Sequence, residues 1–109
     1  MVRRTLLSVA TGALLASLLA PAAARAEGHS ETFSTYCAVC HGDDGKAQTE
    51  KGKEKGARDF TNKKWQKSVD DERLEKSITN GKGKMPSFKG KLEDAQIHDL
   101  VKEVRSFGQ

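Results

Sequence analysis

The chain has 109 residues, of which 31% are charged and 6% aromatic, and its formal net charge is +4. The first 26 residues account for three arginines and no acid, so residues 27–109 carry 16 basic and 15 acidic side chains, a net charge of +1. These 83 residues allow one small domain whose core is marginal by itself, and their charge excludes nucleic acid as a partner.

The first 26 residues have the composition of a secretory signal peptide. Two arginines form its charged start, residues 6–20 are mostly apolar, and residues 24–26 match the small-x-small cleavage pattern. We predict cleavage before Glu27, export to the periplasm and no stable membrane anchor. An uncleaved anchor is the alternative, but the apolar stretch is short for a span and is followed by Pro21.

The first predicted helix covers residues 29–40, where Phe33, Tyr36, Cys37 and Cys40 follow helical spacing along one face. This face would present both thiols to the same side.

The motif Cys37-Ala38-Val39-Cys40-His41 closes this helix and is the attachment pattern C-x-x-C-H of c-type haem. Each thiol can add to one vinyl group of the porphyrin, which leaves the His41 imidazole to bind the iron as the proximal ligand. A disulfide or a redox dithiol is the alternative, but a thioredoxin-like dithiol needs a βαβ context that this chain does not show. We therefore predict one covalently bound haem c, attached through Cys37 and Cys40.

Residues 42–56 are predicted to be a loop, because they contain turn-forming glycines and end in a charged stretch with nothing apolar to bury. A short helix within residues 59–66 contains Trp65. A firmer helix starts after Ser68, which fits a capping box with Asp71, and it ends at Gly81.

A second loop, residues 81–91, contains Met85, the single methionine of residues 27–109. Pro86 biases Met85 toward an extended conformation, in which the thioether can be held against iron. Ligation by methionine and histidine suits electron transfer, so we predict Met85 as the distal iron ligand. The alternative is that Met85 fills a gap in the core. His29 and His98 are expected at the surface.

The last helix is predicted over residues 94–107, from the helical spacing of Ile97, Leu100, Val101 and Val104. No segment alternates between polar and apolar residues for long enough to form a strand. The predicted fold class is therefore all-α.

With these features the chain resembles class I (mitochondrial-type) cytochromes c, in their small bacterial monohaem branch, over nearly all of residues 27–109. The resemblance rests on Phe33, the C-x-x-C-H motif, the turn Gly42-Asp43-Asp44-Gly45, the segment Met85-Pro86-Ser87-Phe88, and the Ile97-x-x-Leu100-Val101 pattern. It implies three to five helices wrapped around one covalently bound haem, with one haem edge exposed. It also implies that the first and last helices cross, and that His41 and Met85 lie on opposite haem faces.

The resemblance further implies roles around the haem. Trp65 is expected to pack on it and donate to a propionate, with Arg58 as a second propionate partner. The simpler alternatives are a core aromatic and an exposed arginine. Relatives often orient the proximal histidine with a proline carbonyl, but Pro86 is the only proline of residues 27–109. Another carbonyl within residues 42–58 must therefore orient His41.

We predict a periplasmic, monomeric electron carrier, not an enzyme, that exchanges single electrons with a membrane reductase and an oxidase or another periplasmic oxidoreductase. Four lysines flank Met85 and favour partners with acidic docking sites: Lys82, Lys84, Lys89 and Lys91. Their simpler role is to keep the loop solvated. Two alternatives remain: a haem sensor or enzyme whose Met85 is displaced by a ligand, and a dedicated cytochrome subunit of a larger oxidoreductase.

Overall fold

The computed structural model describes residues 29–109, together with Ala10, Gly12, Ala13 and Ala16. Cleavage before Glu27 and most of the predicted signal peptide lie outside these residues. Six helices follow in the described chain: α1 (Glu31–Tyr36), α2 (Ala38–His41), α3 (Glu50–Lys55), α4 (Lys63–Ser68), α5 (Asp71–Asn80) and α6 (Asp94–Ser106). The described residues form no strand beyond two isolated bridges, which agrees with the all-α prediction. None of the helices described is long and apolar enough to cross a membrane.

The helix predicted over residues 29–40 is divided into two at Cys37. α1 begins after Ser30, whose hydroxyl accepts the Phe33 N–H at 3.1 Å. Cys37 has φ −114° and ψ −40°, which ends α1 and starts α2. Phe33 is fully buried whereas Tyr36 is 41% exposed, so the residues of the predicted face lie in different environments. This division, together with α3, raises the helix number above the predicted three to five.

The prediction of a loop over residues 42–56 is wrong for its second half, where α3 forms. The Thr49 hydroxyl caps this helix by accepting the Gly52 N–H at 2.9 Å, and Gly56 ends it with φ +65°. Gly52 is buried against α2, since a Cβ at this position would lie 2.1 Å from the Cys40 carbonyl oxygen. Caps and backbone packing therefore stabilise α3, and the apolar pattern of the sequence carries no sign of them.

α4 lies slightly later than the predicted helix, and the predicted capping box at Ser68 is wrong. The Asp70 carboxylate caps α5 instead, accepting the Arg73 N–H at 2.8 Å. Ser68 is the last residue of α4, and its hydroxyl donates to the Trp65 carbonyl at 2.7 Å. α5 ends at Gly81 as predicted, with φ +78°.

α6 carries the largest share of the core. Its first turn is fixed by a capping box between Glu93 and Gln96. The four residues predicted to share its apolar face are all buried: Ile97, Leu100, Val101 and Val104. Phe33 belongs to the same cluster, which fits the packing of α1 on α6 that the resemblance implied.

Arg105 binds the end of α6 to α4 and α5. Its guanidinium donates to the Gln66 carbonyl at 2.6 Å, to the Val69 carbonyl at 2.6 Å and to the Asp71 carboxylate at 2.8 Å. The buried Gln66 amide donates in turn to two backbone carbonyls at 2.8 and 2.9 Å. This network fixes three helices relative to each other.

Candidate haem-binding site

The six residues that the sequence predicts around the cofactor all line one cavity of about 530 Å³: Cys37, Cys40, His41, Arg58, Trp65 and Met85. This volume lies within the range of small-molecule and cofactor sites. The remaining wall is largely apolar, with Phe60, Leu74, Ile78, Phe88 and Val104. Residues far apart in the chain are thus brought to one place by α2, α4, α5 and the loop after α5.

The two cysteines are free and half-buried at the cavity wall. Burial raises the pKa of the Cys37 thiol to about 11, and negative charge on Glu103 and Cys40 adds to the shift. Cys37 is therefore a protonated thiol at neutral pH, which disfavours the alternative of a reactive redox dithiol. Among the described residues there is also no cluster of three or more His, Cys, Asp or Glu side chains that would hold a bare metal ion.

His41 is held in one orientation by two contacts. Its Nδ1 lies 3.0 Å from the Arg58 carbonyl oxygen, which can only accept, so Nδ1 carries the proton. The Phe60 ring stacks on the imidazole with 4.1 Å between ring centroids and an interplanar angle of 15°. Arg58 thus supplies the orienting carbonyl that the sequence placed within residues 42–58.

The same environment keeps His41 neutral. Burial lowers its pKa, and the hydrogen bond to Arg58 only partly opposes this. With Nδ1 protonated, the lone pair of Nε2 is available to a metal, which is the form of imidazole that iron requires.

Met85 is half-buried and packs against the core. It lies in a tight turn with Lys82: the Lys82 N–H donates to the Met85 carbonyl at 3.2 Å, and the Met85 N–H donates to the Lys82 carbonyl at 2.9 Å. Gly83, with φ +57°, lies inside this turn. The Met85 side chain therefore starts from a fixed backbone position beside the cavity.

Arg58 and Trp65 contact each other at the cavity. The guanidinium carbon of Arg58 lies 5.6 Å from the Trp65 ring centroid, a cation–π distance. Arg58 therefore acts twice, through its carbonyl on His41 and through its side chain over Trp65. The second of these places a positive charge at the cavity wall.

The charged side chains at the described part of the cavity wall are all positive. No Asp or Glu lines it, whereas six cations do: Lys51, Lys55, Arg58, Arg73, Lys82 and Lys84. The sequence places Lys51 and Lys55 in the basic segment of residues 46–67, but the loop predicted there did not put them together on a helix. Their i, i+4 spacing was the signal that could have placed them on one side of a helix.

Neither of the other two histidines lies at the cavity. The His29 ring packs between Phe33 and Phe107, at centroid distances of 4.9 and 4.5 Å, and its Nδ1 lies 3.3 Å from a Glu103 carboxylate oxygen. His98 is exposed on α6. His29 is therefore partly buried rather than free at the surface.

The residues present fit a haem c. Two thiols, a neutral imidazole and a thioether line one largely apolar cavity that also carries cations, and these side chains are of the types that can hold a haem.

Comparison with known proteins gives one consistent family. Residues 24–102 match the family described as cytochrome C oxidase, cbb3-type, subunit III. The chain is 35% identical over 80 residues to the cbb3-type cytochrome c oxidase subunit FixP of Bradyrhizobium sp. (strain ORS 278), covering 72% of this chain and 26% of FixP. It is 34% identical over 87 residues to subunit CcoP of Azospirillum brasilense, covering 79% of this chain and 30% of CcoP. The chain thus spans between a quarter and a third of the length of these relatives.

Two smaller proteins match over most of their own length. Cytochrome c6 of Leptolyngbya boryana is 34% identical over 73 residues, which cover 65% of this chain and 79% of that protein. The solved structure of the KustC0563 c-type cytochrome is 37% identical and has a TM-score of 0.68, covering 72% of this chain and 94% of the other.

Proposed function

The chain belongs to the cytochrome c family, and we propose that it is a periplasmic monohaem carrier of single electrons whose iron is bound by His41 and Met85. Covalent attachment of the haem through Cys37 and Cys40 is part of this proposal.

The main support for ligation by His41 and Met85 is their position at one cavity. Met85 follows His41 by 44 residues in the sequence, yet both side chains line the same cavity, together with the two thiols. Core residues such as Leu74 and Ile78 line this cavity too, but Met85 is the residue of the described wall that carries a thioether able to bind iron. The position of Met85 therefore favours ligation over the filler role.

When bound, haem c supplies reversible one-electron chemistry at its iron. The protein side chains bind and orient it. His41 is neutral and is fixed by the Arg58 carbonyl and the Phe60 ring. Leu74, Ile78 and Phe88 are buried and give the cavity an apolar wall. A ligand set held in a fixed position changes little between the two oxidation states, which suits rapid electron transfer.

The absence of carboxylates from the described cavity wall favours a carrier over an enzyme. General acid–base catalysis of peroxide cleavage relies most often on a histidine or a carboxylate, and the described wall carries no carboxylate and no histidine besides His41.

The same wall supports a preference for acidic partners. Lys51, Lys55, Lys82 and Lys84 extend from the cavity wall to the surface, and Val39 and Tyr36 are exposed beside them. An oxidase or reductase with acidic side chains around its own cofactor would be steered to this surface at low ionic strength. Association rates that do not fall as salt is raised would contradict this preference.

A dedicated subunit of a larger oxidoreductase is a second candidate. It is favoured by the relatives FixP and CcoP, which are named as oxidase subunits. Co-purification with an oxidase after washing at high salt would support the subunit, whereas recovery of the chain alone would support the carrier.

The proposal is tested by absorption spectra of the protein purified from the periplasm, oxidised and reduced, with and without carbon monoxide. We expect a low-spin spectrum that carbon monoxide leaves unchanged, and a carbon monoxide-sensitive spectrum in Met85→Ala. Carbon monoxide binding by the unaltered protein would shift the function to a sensor or enzyme. Absence of covalent haem in a host that matures c-type cytochromes would refute haem binding altogether.

A further inference from the structure

The loop that carries Met85 is fastened to the end of α5 by three hydrogen bonds. The Phe88 N–H donates to the Ile78 carbonyl at 3.1 Å, and the Lys89 N–H donates to the Thr79 carbonyl at 3.0 Å. The Ser87 hydroxyl donates to the same Thr79 carbonyl at 2.6 Å. These carbonyls lie in the last turn of α5, where no helical N–H remains to pair with them.

Ser87 is the only one of these donors that acts through its side chain. It lies two residues after Met85, and the residue between them is Pro86, whose ring fixes φ and so stiffens the connection. Ser87 is exposed, so core packing does not account for its position. Its hydroxyl also accepts the Lys89 N–H at 3.3 Å, which adds a second bond within the loop.

The loop lies directly against the helix end. A Cβ at Gly81 would be 2.7 Å from the Met85 carbonyl oxygen and 2.9 Å from the Ser87 nitrogen. There is accordingly no spare space between the end of α5 and the backbone of Met85. A shift at Ser87 would move the Met85 backbone with it.

We propose that Ser87 is a positioning residue for Met85. Its bond to the Thr79 carbonyl holds the loop in the conformation in which the thioether lines the cavity, and it thereby sets how readily an external ligand replaces Met85 at the iron. This inference rests on the proposed ligation by His41 and Met85.

The test uses the haem-loaded protein and three variants. Ser87→Ala removes the hydroxyl, and Ser87→Thr keeps it. Ser106→Ala is the matched control, because Ser106 is also an exposed serine whose hydroxyl donates to a backbone carbonyl, that of Glu103, and lies outside the cavity wall. The affinity of the oxidised protein for imidazole is measured by absorption titration, together with the absorption band characteristic of thioether ligation.

We expect Ser87→Ala to raise the affinity for imidazole by about two- to tenfold, the equilibrium equivalent of one lost hydrogen bond. Ser87→Thr and Ser106→Ala should keep the affinity of the unaltered protein. Equal affinities for Ser87→Ala and Ser106→Ala would overturn the inference while leaving the proposed function intact. So would failure of Ser87→Thr to restore the affinity, since the hydroxyl would then not be the cause.

A separate result identifies failure of the proposed function. If the unaltered protein shows no thioether band, and if Met85→Ala leaves the affinity for imidazole unchanged, Met85 is not a ligand. Both the His41 and Met85 ligation and the role of Ser87 would then be wrong.

Discussion

Gly52→Ala has two opposing effects on the free energy of unfolding. Replacing glycine by alanine inside a helix stabilises it by about 1 kcal/mol, because alanine has the higher helix propensity. In α3, however, the new Cβ would lie 2.1 Å from the Cys40 carbonyl oxygen, and 3.0 Å from both the Ala47 carbonyl oxygen and the Thr49 hydroxyl. Two of these three atoms belong to the backbone, so a rotamer change cannot relieve the contact.

We expect the steric cost to exceed the gain in helix propensity. α3 must move away from α2 by about 1 Å to restore an ordinary contact, and overpacking of this kind costs about 1–3 kcal/mol, occasionally more. Because a contact of 2.1 Å with a backbone atom is far too short, we expect a cost in the upper part of this range, about 2–3 kcal/mol, and a net loss of about 1–2 kcal/mol after the gain in propensity is subtracted. For a chain of this size that lowers Tm by roughly 4–16 °C.

Denaturant unfolding of the haem-loaded protein, followed by circular dichroism, measures this loss as a lower midpoint at constant m-value. Lys53→Ala is the control, because Lys53 lies next to Gly52 in α3 but is exposed. It should leave the midpoint nearly unchanged. A Gly52→Ala protein at least as stable as the unaltered one would show that α3 does not pack on α2 as closely as described.

Three further results are expected. Arg105→Leu should lower the free energy of unfolding by about 2–4 kcal/mol, because it removes charged hydrogen bonds that join three helices. Lys102→Leu is the control and should cost little, since the Lys102 side chain is 70% exposed. Equal losses in the two variants would contradict the role of Arg105. Because burial lowers the pKa of His41 below its usual 6.5, the unfolded chain binds more protons, and the free energy of unfolding should fall as pH drops below about 6.5. A denaturation midpoint that is constant from pH 7.5 to 5 would refute this. Arg58→Ala keeps the carbonyl that orients His41, so the low-spin spectrum should persist. The free energy of unfolding should fall by about 0.5–1 kcal/mol, because the contact of the guanidinium with Trp65 is lost. A change of spin state would show that the Arg58 side chain positions the ligand.

The fold was predictable where apolar side chains repeat at helical spacing. α6 follows that spacing closely, and α5 ends at the glycine that the sequence indicated. α3 was not predictable, because a buried glycine and its caps stabilise it. The break at Cys37 was also missed, since the residues on both sides of it fit one continuous helix.

The site was predictable to the extent that its chemistry resides in side chains. Both cysteines, His41 and Met85 are rare residues in this chain and converge on one cavity. The orienting group of His41 was not identified, because a backbone carbonyl leaves no trace in residue identity. The network around Arg105 was missed for a different reason: its partner Gln66 lies 39 residues away, and no local pattern connects them.

The contact of His29 with Phe107 has a consequence for modular architecture. The rings lie 4.5 Å apart, and Ser30 donates to the Glu103 carboxylate through its N–H and its hydroxyl at 2.7 Å each, so the entry and exit of the helical unit lie side by side. Units of this kind tolerate circular permutation and insertion, because both junctions meet at one point of the host. Residues 29–107 could therefore be inserted into a loop of another protein without forcing the two ends of that loop apart.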